Sequence, residues 1–149
     1  MQFKKQRWVW MGLLTGLLAM PVASAVEEGR PYYEVPFRQA VETGSRIEVR
    51  EVFWYGCPAC NHIEPALNAW LAKGLPRNAA FRRTPGMREG WVQHARLYYT
   101  LEKLGVVDKH HSAVFDAIHM EGQTLDSEDR AADFLARRGV DAQKFRQAW

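Results

Sequence analysis

Cys57 and Cys60 are the only cysteines of the chain, and they stand two residues apart in the stretch FWYGCPACNHIEP, residues 53–65. Four chemistries use such a pair. A structural zinc site needs four ligands; here one cysteine pair is accompanied by His62, His94, His110, His111 and His119, at no zinc-finger spacing. A c-type haem needs histidine directly after the second cysteine, and Asn61 stands there. An inert disulfide across so short a loop removes little entropy from the unfolded chain. Redox exchange is the remaining reading and the strongest. A thiol at a helix N-terminus lies near unpaired backbone N–H groups and the positive end of the helix dipole, both of which favour thiolate. Cys57 then attacks and Cys60, one turn further in, resolves.

The neighbouring residues supply the elements such a pair requires. RIEVREVFWY, residues 46–55, has the β-branched and aromatic content of a strand. Its alternation puts Ile47, Val49, Glu51, Phe53 and Tyr55 on one face, and its apolar end predicts burial on both faces there. Cys57 fits the cap of a following helix, with Pro58 at the first helical position. Ile63, Ala66, Leu67, Trp70 and Leu71 continue at helical spacing to a stop at Gly74 and Pro76, with Pro65 as an internal kink. Residues 78–84 predict a second strand, completing a βαβ unit with the cysteines at the carboxyl end of its first strand. Tyr32 to Val35 predict a short strand before it. Beyond Trp91 the pattern is helical: Leu97, Leu101 and Leu104 form one stripe, and Val114, Phe115 and Ile118 another. A third helix follows the cap residues Asp126 and Ser127, and a fourth starts at Asp141.

The N-terminus predicts the compartment. Lys4, Lys5 and Arg7 precede an uncharged run, Trp8 to Met20, and Ala23 and Ala25 have the spacing of a signal-peptidase site before Val26. That run spans roughly 20 Å as a helix, short of a bilayer core of about 30 Å. The leader carries three of the 20 Lys and Arg residues and none of the 17 Asp and Glu. Residues 26–149 are therefore formally neutral, and nothing in them argues for nucleic acid. An exported chain can keep a disulfide.

The segment EVFWYGCPACNHIEP resembles the active-site segment of thioredoxin-fold proteins, and its setting resembles the DsbA family of periplasmic thiol:disulfide interchange proteins. VFDAIHMEGQTLDSEDRAADFLARRGVDAQKF is similar to that family's helical insertion. The resemblance implies an α/β fold: a thioredoxin-like βαβ unit with an inserted helical domain. Residues 1–25 would be signal peptide, 26–90 the N-terminal part of the thioredoxin-like domain, and 91–149 the insertion. It implies oxidation of dithiols in unfolded exported polypeptides, a membrane partner that reoxidises the pair, no bound cofactor and no metal. Glu51 matches the family's buried acid beneath the active site, and Pro65 its kink proline. Two departures stand out. Ala59 occupies the place of the family's usual histidine, which predicts a weaker oxidant and makes a reductase or isomerase the runner-up. The sequence also stops at Trp149, before the family's cis-proline loop, two further strands and last helix. Residues 26–149 alone are accordingly expected to fold poorly and act weakly, or only to bind polypeptide.

Other candidates remain open on the sequence. Glu51 is either a proton relay for Cys60 or an acid that stays wet. Asn61 and His62 read as solvated. Trp54, Tyr55 and Trp91 line a peptide groove or belong to the core. His110 and His111 have no partner at i+4, which argues against a metal.

Overall fold

A computed structural model describes Tyr32 and residues 35–149, which divide into one unit ending at Gln39 and another running from Ala40 to Trp149. The predicted leader lies outside the described residues. Of the predicted first strand, Tyr32 forms a single β-bridge, Val35 lies outside regular structure, and the two residues between them are not described. No helix among the described residues is long and apolar enough to cross a membrane.

The second unit contains β1 (Ile47–Phe53), α1 (Pro58–Ala72), β2 (Ala79–Pro85), α2 (Val92–Lys103), α3 (Val107–His119), α4 (Glu128–Ala136) and α5 (Ala142–Ala148). β1 and β2 pair in parallel, with Ile47 opposite Ala79 and Glu51 opposite Arg83. β1 is shorter than the sequence predicts. It ends at Phe53 because Trp54, Tyr55 and Gly56 turn the chain toward α1, and the Cys57 N–H closes that turn on the Trp54 carbonyl at 2.9 Å. Gly56 is required in it: a Cβ there would lie 2.3 Å from the Trp54 indole.

Local chemistry accounts for the helix starts. Pro58 has no N–H to leave unpaired in the first turn of α1. The Ser127 hydroxyl accepts from Arg130 N–H at the start of α4, and the Asp141 carboxylate from Lys144 N–H at the start of α5. Pro65 lies inside α1, which continues through it to Ala72, and Gly74 follows with a left-handed φ of 84°.

The core joins the end of β1 to the helices. Phe53, Tyr55, Leu97, Leu101, Val114, Phe115, Leu125, Phe134, Leu135 and Phe145 are all buried in one cluster. Two expectations fail here. Val52 is 67% exposed, so β1 is not covered on both faces at its end. In α1 the apolar series is largely outside: Ile63 is 54% exposed, and the buried residue of the helix is Glu64. Periodicity finds the helix but assigns its inner face to the wrong side chains.

Phe134 is fully buried in α4 and is not part of the cysteine motif. Phe134→Ala is expected to lower unfolding free energy by about 3–5 kcal/mol. Urea titration followed by circular dichroism checks this, and a loss under about 1 kcal/mol would contradict the packing.

Candidate active site

Cys57 caps α1 in extended backbone, and its Sγ accepts the Cys60 N–H at 3.3 Å. Both cysteines are free and partly exposed, but only Cys60 packs against the core. The two sulfurs are therefore unequal. The Cys60 thiol donates to the Cys57 sulfur, the Cys60 and Ala59 N–H groups add to it, and together they hold the Cys57 thiol below its ordinary range. Burial raises Cys60, and hydrogen bonding to Cys57 raises it further, with a smaller contribution from the negative charge of Glu51. The Trp54 N–H acts in the opposite direction on Cys60. Proton and charge are thus divided between the pair, with thiolate favoured at the outer sulfur.

Beneath them lies a buried polar cluster of which the sequence reading places only Glu51 at the site. Glu64 is 3% exposed and must be paired. Its Oε1 lies 3.4 Å from Arg83 Nη2 and 3.3 Å from His111 Nε2, the latter off the line of a hydrogen bond. Its Oε2 accepts from the Asn68 amide at 3.0 Å. The Arg83 Nε donates to Glu51 Oε2 at 2.9 Å, across the strand pair. Burial raises Glu51, although the Arg83 charge opposes it. Burial would raise Glu64 too, but the contact with His111 and the charge of Arg83 outweigh it, and its pKa is lowered. Burial lowers His111, so at neutral pH its ring is uncharged.

Glu51, Glu64 and His111 place ligand-type atoms within 4.8 Å of one another. Arg83 already brings a positive charge into contact with both carboxylates, so this donor set does not fit a divalent ion.

No family model matches the chain. The thiol:disulfide interchange protein DsbA of Azotobacter vinelandii is 45% identical over 125 residues, covering 83% of this chain and 58% of that protein. The DsbA of Pseudomonas aeruginosa PAO1 is 40% identical over 141 residues, covering 89% of this chain and 66% of that protein. The chain belongs to the DsbA family. A crystal structure of a P. aeruginosa DsbA variant superposes with a TM-score of 0.74 at 40% identity, covering 78% of this chain and 63% of that one. DsbA from Xylella fastidiosa gives 0.66 at 35% identity, covering 70% and 58%. The fold is therefore thioredoxin-like α/β. The chain spans about three fifths of the length of the DsbA relatives it matches.

Against the DsbA pattern, the structure places Cys57, Pro58, Ala59 and Cys60 together at the start of α1, with Ala59 exposed. Glu51 is not a wet acid: its side chain is 12% exposed and paired with Arg83. His62 is exposed and Asn61 half-buried. Tyr55 belongs to the core and not to a groove, while Trp54 and Trp91 stack on each other with ring centroids 4.6 Å apart. His110 and His111, set aside on spacing, are both buried. The strand register could have found Arg83, because pairing β1 with β2 in parallel sets it opposite Glu51. Glu64 and His111 meet only through tertiary packing and leave no comparable signal.

Arg83→Met removes the cation and leaves two buried carboxylates facing each other. At pH 7 the variant is expected to lose about 3–5 kcal/mol of stability. The loss should shrink toward pH 4. In the parent, Glu64 has a lowered folded pKa, so its stabilisation is lost as pH falls through that value. In the variant, unpaired carboxylates have raised folded pKa values and are relieved by protonation as pH falls. Urea unfolding at both pH values measures the difference, and a gap independent of pH would show that the cluster is not ionised.

Proposed function

We propose that this chain carries the exchange centre of a thiol:disulfide oxidoreductase that introduces disulfides into exported polypeptides. The observation that supports it most is the opposed tuning of the two sulfurs, Cys57 lowered at the α1 N-terminus and Cys60 raised behind it. A substrate thiolate attacks Cys57 Sγ in the Cys57–Cys60 disulfide. The S–S bond breaks, and Cys60 leaves with the electron pair and takes up a proton. A second substrate thiolate then attacks the substrate sulfur of the mixed disulfide and displaces Cys57 as thiolate. The substrate loses two electrons and the cysteine pair gains them, so no cofactor is needed.

Each stabilised group has a place in that sequence. The Cys57 thiolate is the last leaving group, and hydrogen bonds from Cys60 and Ala59 make it a good one. Cys60 retains its proton, and Glu51, raised by burial and near enough for its charge to act on Cys60, serves in this reading as the group that exchanges that proton. Pro58 shapes the first turn. The substrates are unfolded periplasmic polypeptides with free thiols, and the reduced pair is returned to disulfide by a membrane partner. Ala59 favours a second direction of flow: with no cation beside Cys57, the reduced form is less stabilised, which moves the protein toward reductase or isomerase work.

In the reduced protein, limited alkylation near neutral pH is expected to label Cys57 first, as read by peptide mass mapping. Cys60→Ser should trap a mixed disulfide when its Cys57 thiolate attacks a disulfide-bonded peptide and displaces one half as thiolate, and Cys57→Ser should form none. Preferential labelling of Cys60 would reverse the assignment. Ala59→His is expected to make the disulfide more oxidising by roughly tenfold against a glutathione buffer, equivalent to one pKa unit at Cys57. An unchanged or less oxidising equilibrium would refute the account of position 59.

A further inference from the structure

α3 grips the turn ahead of the cysteines at two ends of one residue. His111 Nδ1 lies 2.9 Å from the Tyr55 hydroxyl, and His119 Nε2 lies 2.8 Å from the Tyr55 main-chain oxygen. Between them on the same i, i+4, i+8 stripe is Phe115, whose ring meets Tyr55 edge-on at 5.1 Å and stacks on His119. Tyr55 is wholly buried within this clasp.

The protons in it are settled by chemistry. A carbonyl only accepts, so His119 Nε2 must carry the hydrogen. The buried Tyr55 phenol stays protonated and donates to His111 Nδ1. His111 therefore presents Nε2–H toward Glu64 Oε1 at 3.3 Å, because the other tautomer would set a lone pair against a carboxylate.

Both main-chain anchor points of the sulfurs lie on Trp54, the residue bonded to Tyr55. The Trp54 carbonyl accepts from Cys57 N–H, and the Trp54 N–H acts on the Cys60 sulfur. A shift of the Tyr55 carbonyl moves that turn, and with it the position of Cys57 over the Cys60 and Ala59 N–H groups.

We infer that His119, with His111 and Phe115 on the same stripe of α3, is a positioning residue for exchange, holding Tyr55 so that Cys57 stays over the start of α1. This rests on the exchange reading but concerns residues outside the cysteine motif, and it is tested without a substrate.

The test compares His119→Leu, which removes the donor, with His119→Gln, which returns an N–H at similar reach. Thiolate absorbance of the reduced full chain is followed against pH, beside glutathione equilibrium and thermal unfolding. In His119→Leu the Cys57 thiolate fraction at a fixed pH below its midpoint should fall about 2- to 10-fold, the size of one hydrogen bond's contribution. His119→Gln should restore it to within about twofold, by the same measure. A Leu variant that melts earlier yet titrates like the parent would reduce His119 to a structural role and overturn the inference, as would a Gln variant that behaves like Leu. If the Leu variant does not fold, His119→Asn takes its place: too short to reach the carbonyl, it should titrate as predicted for Leu, and parent-like titration refutes the clasp. A parent that fails to equilibrate with glutathione sinks the exchange reading alone, since the titration needs no partner.

Discussion

A carboxylate 3% exposed inside a helix has to be neutralised where it stands, and Glu64 draws four elements together to meet that demand. Arg83 reaches it from β2, Asn68 from the next turn of α1, and His111 from α3. Arg83 then needs a second anion, which Glu51 supplies across the strand pair. These contacts fix how α1 lies on the sheet, and α1 carries the cysteines at its start. The same ring of His111 that faces Glu64 also accepts from Tyr55, so the cluster is continuous with the turn that sets the sulfurs. Few placements of α3 against β1 satisfy both ends of that ring.

The chemistry of the pair follows from this arrangement together with the helix start. Cys57 receives hydrogen bonds from Cys60 and Ala59 at the surface, while Cys60 faces the core and the negative charge of Glu51. The sequence reading credits the α1 N-terminus with favouring the Cys57 thiolate and finds alanine, not histidine, at position 59. The structure adds the Cys60 thiol, which contributes most. That donor exists only while Cys60 holds its proton, so whatever raises Cys60 also favours thiolate at Cys57. The groups beneath the pair therefore act on the outer sulfur through the inner one.

What is legible in the sequence is what has a local cause. Pro58 at the first helical position, Ser127 and Asp141 at caps, and the apolar residues of β1 each carry their own reason, and the elements they mark are found. The exchange motif is of the same kind, because strand, turn, cysteine pair and helix are contiguous. The boundary of β1 is missed by two residues because the aromatic content of Trp54 and Tyr55 suits a strand, while Gly56 and the Trp54–Cys57 bond impose a turn. The inner face of α1 is missed for a different reason. Apolar spacing selects Ile63 and Trp70, but the side that meets α3 and β2 is the side of Glu64 and Asn68. A partnered charge outranks hydrophobic periodicity there, and its partners are 19 and 47 positions away in the chain.

The polar cluster is not what makes this fold stable. Replacing a buried ion pair by apolar groups of similar volume is often neutral or stabilising by about 1–4 kcal/mol. The aromatic cluster of Phe53, Tyr55, Tyr98 and Phe115 contributes in the other direction, with about 1.5–3 kcal/mol for each large side chain removed from water. Burial therefore supplies the free energy of folding, and the charges supply geometry and field. Apolar packing tolerates side chains of similar volume in several orientations, whereas Arg83 between two carboxylates does not. The two meet at Tyr55, whose ring is part of the core and whose hydroxyl and carbonyl are held by the polar groups of α3. A residue with both attachments transmits the rigidity of the helices to the turn beside it. Cys57 lies outside the core cluster that Cys60 packs against, so its position over Cys60 is set from that turn and from the first turn of α1.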